Sequence, residues 1–157
     1  MKYFYDTEFD EDGRTIELIS FAMVAEDGRE FYRVSNEFEP ARCNAFVQAN
    51  VLPHLPAKDL WIDRKQMRTE LLDFIGADEH PELWAYYAAY DHVALAQLWG
   101  PMIDLPKPLP MWTNDLMQEC QRLGNPKLPE QSSGEHDALE DARWLKHRYE
   151  WLQGVTA

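Results

Sequence analysis

The stretch MKYFYDTEFDEDG places two carboxylates, Asp6 and Glu8, inside an alternating pattern that otherwise reads as a buried strand. Residues two apart on a strand share a face, so Phe4, Asp6 and Glu8 point one way and Tyr3, Tyr5 and Thr7 the other. A charge taken out of water without compensation costs several kcal/mol or more, and a second like charge beside it raises the cost. The plain alternative is a solvated acidic loop that begins at Asp6. Two further acids sit where packing alone does not place them. Asp141 lies three residues after Ala138 and four before Leu145, at the border of an inward helix stripe. Asp91 stands four and seven residues before Leu95 and Leu98, the inward positions of its own helix. Each has an ordinary use as well: Asp91 as a helix cap, Asp141 as an ion-pair partner of Arg143 or Lys146.

Taken jointly, Asp6, Glu8, Asp91 and Asp141 would repel one another unless cations lay between them. Carboxylate oxygens are the ligands that Mg²⁺ and Mn²⁺ prefer. Two such ions about 3.5–4 Å apart are the usual apparatus of phosphodiester cleavage, preparing a water and stabilising the attacking and leaving oxygens. The segment EHDALED adds His136, five residues before Asp141. On one ideal helix the two would diverge by roughly 140°. His136 therefore fits best just before the helix or at its first residue, leaning over the position that Asp141 enters. An imidazole beside such a water is a competent general base. The other histidines, His54, His80, His92 and His147, read as surface residues.

These side chains need a frame. Period-two runs predict strands at about 2–7, 16–25 and 29–35, joined by the EDG turns at 11–13 and 26–28 into an antiparallel meander. A helix is expected at 41–50, and an amphipathic one at 63–76 with Met67, Leu71, Leu72 and Ile75 inward. A strand at 82–88 leads into a helix at about 91–99. The proline-rich PMIDLPKPLP then reaches a short strand near 110–112, with Thr113 as cap of a helix at 114–123. The last helix, about 137–153, carries an apolar stripe at Ala138, Ala142, Leu145, Tyr149 and Leu152. Three antiparallel strands followed by strand–helix units give an α/β fold with a mixed sheet flanked by helices. No internal repeat or long linker interrupts the 157 residues, so a single domain over 1–157 is expected.

The net charge of -13 leaves no basic patch, and the 15 lysines and arginines are scattered. A polyanionic substrate would have to be attracted locally, through bound cations, and not by a general field. No apolar run approaches the roughly 20 residues of a membrane span, and no signal peptide is read at the start of the chain. Cys43 and Cys120 are the two cysteines, far apart, which argues against a disulfide framework and for a cytoplasmic protein.

The ordered set Asp6-Thr7-Glu8, then Asp91 after AYYAAY, then His136 and Asp141, resembles the DEDDh 3′-5′ exonucleases, which share a ribonuclease H-like fold. The longer runs IELISFAMVAEDGREFY, AYDHVALAQLWGPM and HDALEDAR are most similar to one branch, the actinobacterial polyadenylate-specific 3′-exoribonuclease AS. The resemblance implies metal binding by Asp6, Glu8, Asp91 and Asp141, with Mg²⁺ as two ions per site and Mn²⁺ as a substitute, and His136 as the base. It further implies RNA with a single-stranded 3′ end or 3′ overhang as substrate, nucleoside 5′-monophosphates as products, and a homodimer. The backbone at Thr7 is placed to reach the terminal nucleotide. Phe9, Phe21 and Trp112, near expected strand ends, are candidates to stack on bases. Phe9 follows the DxE motif where proofreading relatives carry Thr or Ala, which leaves the substrate open. Two alternatives stand beside the RNA reading: an exonuclease acting mainly on single-stranded DNA, and a silent module that binds nucleic-acid ends.

Overall fold

In the computed structural model, which describes residues 1–155, five strands form one mixed sheet in the order β3-β2-β1-β4-β5. They are β1 (Lys2–Glu11), β2 (Ile16–Ala25), β3 (Glu30–Val34), β4 (Glu82–Ala85) and β5 (Asn114–Asp115). The first three form the antiparallel meander, and β4 and β5 join β1 in parallel. The principal helices are α1 (Ala45–Asn50), α2 (Arg64–Ile75), α3 (Ala89–Gln97), α4 (Leu116–Arg122) and α5 (Ala138–Val155). The architecture is the ribonuclease H-like mixed sheet with flanking helices.

Alternation along β1 divides the core. Tyr3 and Tyr5 are fully buried against α2 and α3, where Met67, Leu71, Ile75, Ala94 and Leu95 complete one cluster. Phe4 faces α4 and α5 and packs with Trp84, Leu116, Leu145 and Leu152 on the opposite side of the sheet. Full burial of an aromatic or branched side chain contributes about 1.5–3 kcal/mol, so the strand that carries the acids is anchored on both faces. Asp6 and Glu8 continue the Phe4 face and meet α5. Thr7 and Phe9 continue the Tyr5 face and meet α3.

Several boundaries differ from the sequence expectation. β1 runs four residues beyond Thr7, to Glu11, because residues 9–11 pair with Leu18, Glu17 and Ile16 of β2 after a register shift between Glu8 and Phe9. A bulge at that position re-aims side chains beside the site. β4 stops at Ala85 because Tyr87 takes a left-handed backbone, φ 56°. The expected strand near 110–112 is displaced to Asn114–Asp115, and Met111 and Trp112 lie exposed before it. Thr113 is not the cap of α4. Asp115 is, its Oδ1 accepting from the Met117 amide at 2.8 Å. Thr113 instead bridges the Tyr5 hydroxyl (2.6 Å) and Nδ1 of His92 (3.0 Å), which makes His92 a half-buried residue and not a surface one. The region 41–50 is a 3₁₀ turn at Pro40–Arg42 followed by α1, separated by the Asn44 cap.

Candidate active site

Asp6, Glu8 and Asp141 converge from β1 and α5, each offering a carboxylate oxygen within 4.8 Å of the others. Asp91 enters from the first turn of α3 and is 94% buried. Its Oδ1 accepts from the Thr7 amide at 3.0 Å and the Thr7 hydroxyl at 2.7 Å, which ties α3 to the strand where Asp91 lines a cavity with Asp6 and Glu8. The ordinary uses of Asp91 and Asp141 do not apply. α3 has no side-chain cap, with Ala88 at the capping position. Arg143 pairs with Glu30 and Glu140, and Lys146 reaches the carbonyls of Ala25 and Glu26, so neither holds Asp141.

Asp115 helps to set the entry of α3: while Oδ1 caps α4, Oδ2 accepts from the Ala88 amide at 3.1 Å. Asp141 is steadied from the loop before α5, by Nε2 of Gln131 at 2.6 Å and by the amide of His136 at 3.0 Å. His136 therefore precedes its helix by two residues, as its spacing from Asp141 requires. Its own backbone is left-handed, φ 67°. Gly134, φ 75°, makes the same loop possible, since a Cβ there would lie 2.9 Å from Glu140 Cβ. Left-handed non-glycine residues each cost of order 1–3 kcal/mol and persist where the surroundings over-determine them. Tyr87 and His136, two of the three in the described residues, both line the acid-lined cavity.

The electrostatics are those of crowded carboxylates that resist ionisation together. Burial, then the nearby charges of Asp91, Glu8 and Asp141, pushes the Asp6 carboxyl well above its ordinary range. Burial and the charges of Asp141 and Asp91 raise Glu8 to about 8. Asp91 is raised by burial to about 6, the two Thr7 hydrogen bonds pulling the other way. Burial raises Asp141 as well, against the opposing bonds from Gln131 and His136. A fifth acid, Asp137, adds to the repulsion on Asp6 and Glu8 while its Oδ1 caps the amides of Leu139 and Glu140. Carboxylates crowded so that each resists ionisation are the donor set that hard divalent ions fit.

Of the proposed base contacts, Thr7 and Phe9 lie at this cavity, and Phe9 stacks on Tyr90 with centroids 5.7 Å apart. Phe21 does not belong to it. Its ring is fully buried, stacked on Tyr5 and edge-on to Phe31, so it is core. Trp112 is exposed but lines a separate cavity with His80, Pro81 and Glu82 at the beginning of β4, the opposite end of that strand from the acids. The sequence reading missed Tyr86, Tyr87 and Tyr90, although the repeated tyrosines of AYYAAY immediately before Asp91 were a signal. Nor did it note Arg148, which lines an adjoining cavity with Asp6 and Asp141 and stands seven residues after Asp141 on the same helix face. Nothing in the loop NPKLPEQSSGE singled out Gln131.

The sheet order, with acids gathered on its central strand, is that of the ribonuclease H-like fold. Two solved structures share the fold at 14% sequence identity. Cell-death related nuclease 4 (CRN-4) superposes with a TM-score of 0.66 over 98% of this chain and 64% of its own. Exonuclease I superposes with a TM-score of 0.61 over 98% of this chain and 42% of its own. Residues 1–152 match the family model of the Rv2179c-like 3′-5′ exoribonuclease domain, and the chain belongs to that family. The Mycobacterium tuberculosis proteins named 3′-5′ exoribonuclease Rv2179c (strain H37Rv) and 3′-5′ exoribonuclease MT2234.1 (strain CDC 1551 / Oshkosh) are each 54% identical over 153 residues. The match spans 95% of this chain and 91% of theirs.

Proposed function

We propose that this exoribonuclease is metal-dependent, degrades single-stranded 3′ ends and 3′ overhangs of RNA, and releases nucleoside 5′-monophosphates. The observation that supports it most is the meeting of Asp6, Glu8 and Asp141 within 4.8 Å, beside Asp91 and a histidine in the same cavity. Asp6, Glu8, Asp91 and Asp141 would hold Mg²⁺ as two ions, with Mn²⁺ as a substitute. Bound there, the ions would supply an acidified water and neutralise the charge that develops on the phosphate.

The chain's own groups do the rest. His136 accepts a proton from the attacking water. The water oxygen bonds to the terminal phosphorus, and the bond from phosphorus to the 3′-oxygen of the penultimate nucleotide breaks. That oxygen takes a proton from solvent and becomes the new 3′-hydroxyl. Thr7 holds Asp91 in register and, with Phe9, borders the half of the site that receives the terminal nucleoside. Tyr87 and Tyr90, both exposed there, offer further π-faces. A pocket closed around a terminal sugar favours a free 3′-hydroxyl, and a paired end must fray at a cost of a few kcal/mol.

The test is a gel of 5′-labelled RNA carrying a 3′ overhang on a hairpin, beside a circular RNA and a DNA counterpart. A Mg²⁺-dependent ladder that stops near the stem, with the circle intact and EDTA blocking the reaction, supports the reading. Cleavage of the circle, full activity after exhaustive chelation, or a preference for the DNA overturns it.

A further inference from the structure

Two cavities meet at the acids. The one bordered by Thr7, Phe9 and Tyr90 is about 280 Å³ and carries no lysine or arginine. The other is about 260 Å³; it shares Asp6, Tyr86, His136 and Asp141 with the first and extends past Gln131 and Glu135 to Arg148. Among the described residues, Arg148 is thus the one arginine or lysine that lines either cavity.

The chain holds 28 acids against 15 lysines and arginines, and carboxylates hold five of its nine arginines. Arg29, Arg33, Arg64, Arg122 and Arg143 are each paired with a carboxylate. Arg148 has no carboxylate partner among the described residues. It is half-buried, its Nε donates to the Pro129 carbonyl at 2.9 Å, and its guanidinium carbon sits 5.2 Å from the centroid of the Tyr86 ring. One edge of the fork is therefore fixed and its plane is held against an aromatic face. The two terminal nitrogens have no protein acceptor among the described residues. A fixed guanidinium with free terminal nitrogens is suited to bidentate capture of a phosphate. Arg148 follows Asp141 by two helical turns, about 10 Å along the axis, and a long helical side chain leans back toward the N-terminus. That brings the cation toward the acids without letting it neutralise them.

We propose that Arg148 is a substrate-binding residue that holds the phosphate one linkage upstream of the scissile one, on the 5′ side of the penultimate nucleotide. The inference rests on the exonuclease reading above. With the scissile phosphate at the acids shared by both cavities and the terminal nucleoside on the Thr7–Phe9 side, the leaving strand passes through the Arg148 side. Its next phosphate would otherwise face Asp6, Asp141 and Glu135 uncompensated.

The test compares two short single-stranded RNAs that differ only in the second linkage from the 3′ end, phosphodiester in one and uncharged methylphosphonate in the other. Both carry a 2′-deoxy sugar on its 5′ side. Release of the terminal nucleotide is followed for wild type, Arg148→Gln and Arg148→Lys. Neutralising the linkage should raise the wild-type KM about 10-fold with kcat little changed, the size of a lost charge-assisted contact. Arg148→Gln should raise KM for the all-phosphate RNA similarly and lose the discrimination between the two substrates, while Arg148→Lys retains part of it. The salt slope of binding should fall by about one in Arg148→Gln. Discrimination that survives the substitution, or a loss that falls equally on both substrates, overturns the proposal and leaves Arg148 a structural residue. Failure of wild type to shorten either RNA in Mg²⁺ would instead mark failure of the exonuclease reading.

Discussion

Glu8→Gln should stabilise the metal-free protein, and more so as pH rises. The Glu8 carboxyl is raised from 4.5 to about 8 in the folded chain. Below about pH 4.5 folded and unfolded states both hold the proton, and the site charge costs nothing. Between that pH and about 8 the unfolded chain releases the proton while the folded chain keeps it, so stability falls by about 1.4 kcal/mol per pH unit. Above about pH 8 the folded site is ionised as well and the loss levels off at ~5 kcal/mol. Glutamine keeps the shape and removes the charge. At ~2–4 °C per kcal/mol for a domain of this size, the metal-free variant should melt on the order of 10 °C above wild type near pH 8.5, and close to it near pH 4.5. Mg²⁺ narrows the difference by about half, because a ligand at 100 times its Kd stabilises the chain that binds it by about 2.7 kcal/mol. The assay is a melting series across pH in EDTA and in excess Mg²⁺. Parallel pH profiles in EDTA, with the variant at or below wild type near pH 8.5, would refute the reasoning.

His136→Ala should lose roughly 10²–10⁴-fold in kcat, the usual share of general-base catalysis, while calorimetry finds its Mn²⁺ affinity retained. A wild-type rate near neutral pH would remove His136 from the mechanism. Phe21→Ala should lose about 3–5 kcal/mol in a urea titration as a core truncation, whereas Phe21→Leu should fold and bind RNA with an unchanged KM. A raised KM in Phe21→Leu would return that ring to the substrate. Trp112→Ala should leave both kcat and KM at wild-type values, and a large rise in KM would show that RNA reaches the far end of β4.

The acids were legible because a charge inside a regular apolar pattern is conspicuous. Period two fixes the face of Asp6 and Glu8, and the inward stripe of each helix marks Asp91 and Asp141. The meander and α2 were legible for the same reason, each with one strong period and clear turn or cap residues. Phe21 was misjudged because IELISFAMVA is apolar on both faces, as suits a strand covered on both sides, so no alternation says which way a side chain points. β5 has two residues and follows a proline-rich run without periodicity, which is why it was placed early and Trp112 with it. The left-handed Tyr87 shortened β4 against the pattern of its side chains. Contacts made by Gln131 and Thr113 depend on how loops close over the sheet, and local spacing carries no trace of them.

The central claim is that four crowded carboxylates, reluctant to ionise alone, are made for divalent cations. Its most direct test is a calorimetric titration of Mn²⁺ into the metal-free protein near pH 7, repeated in buffers of different ionisation enthalpy. With Glu8 at about 8 and Asp6 raised well above its ordinary range, binding must expel protons, since metal ligands are deprotonated. The account predicts saturable binding of two ions with net proton release on the order of one per site, and loss of both in Asp6→Asn. Binding with no proton release, or no specific binding at all in a protein that still shortens RNA, would contradict it.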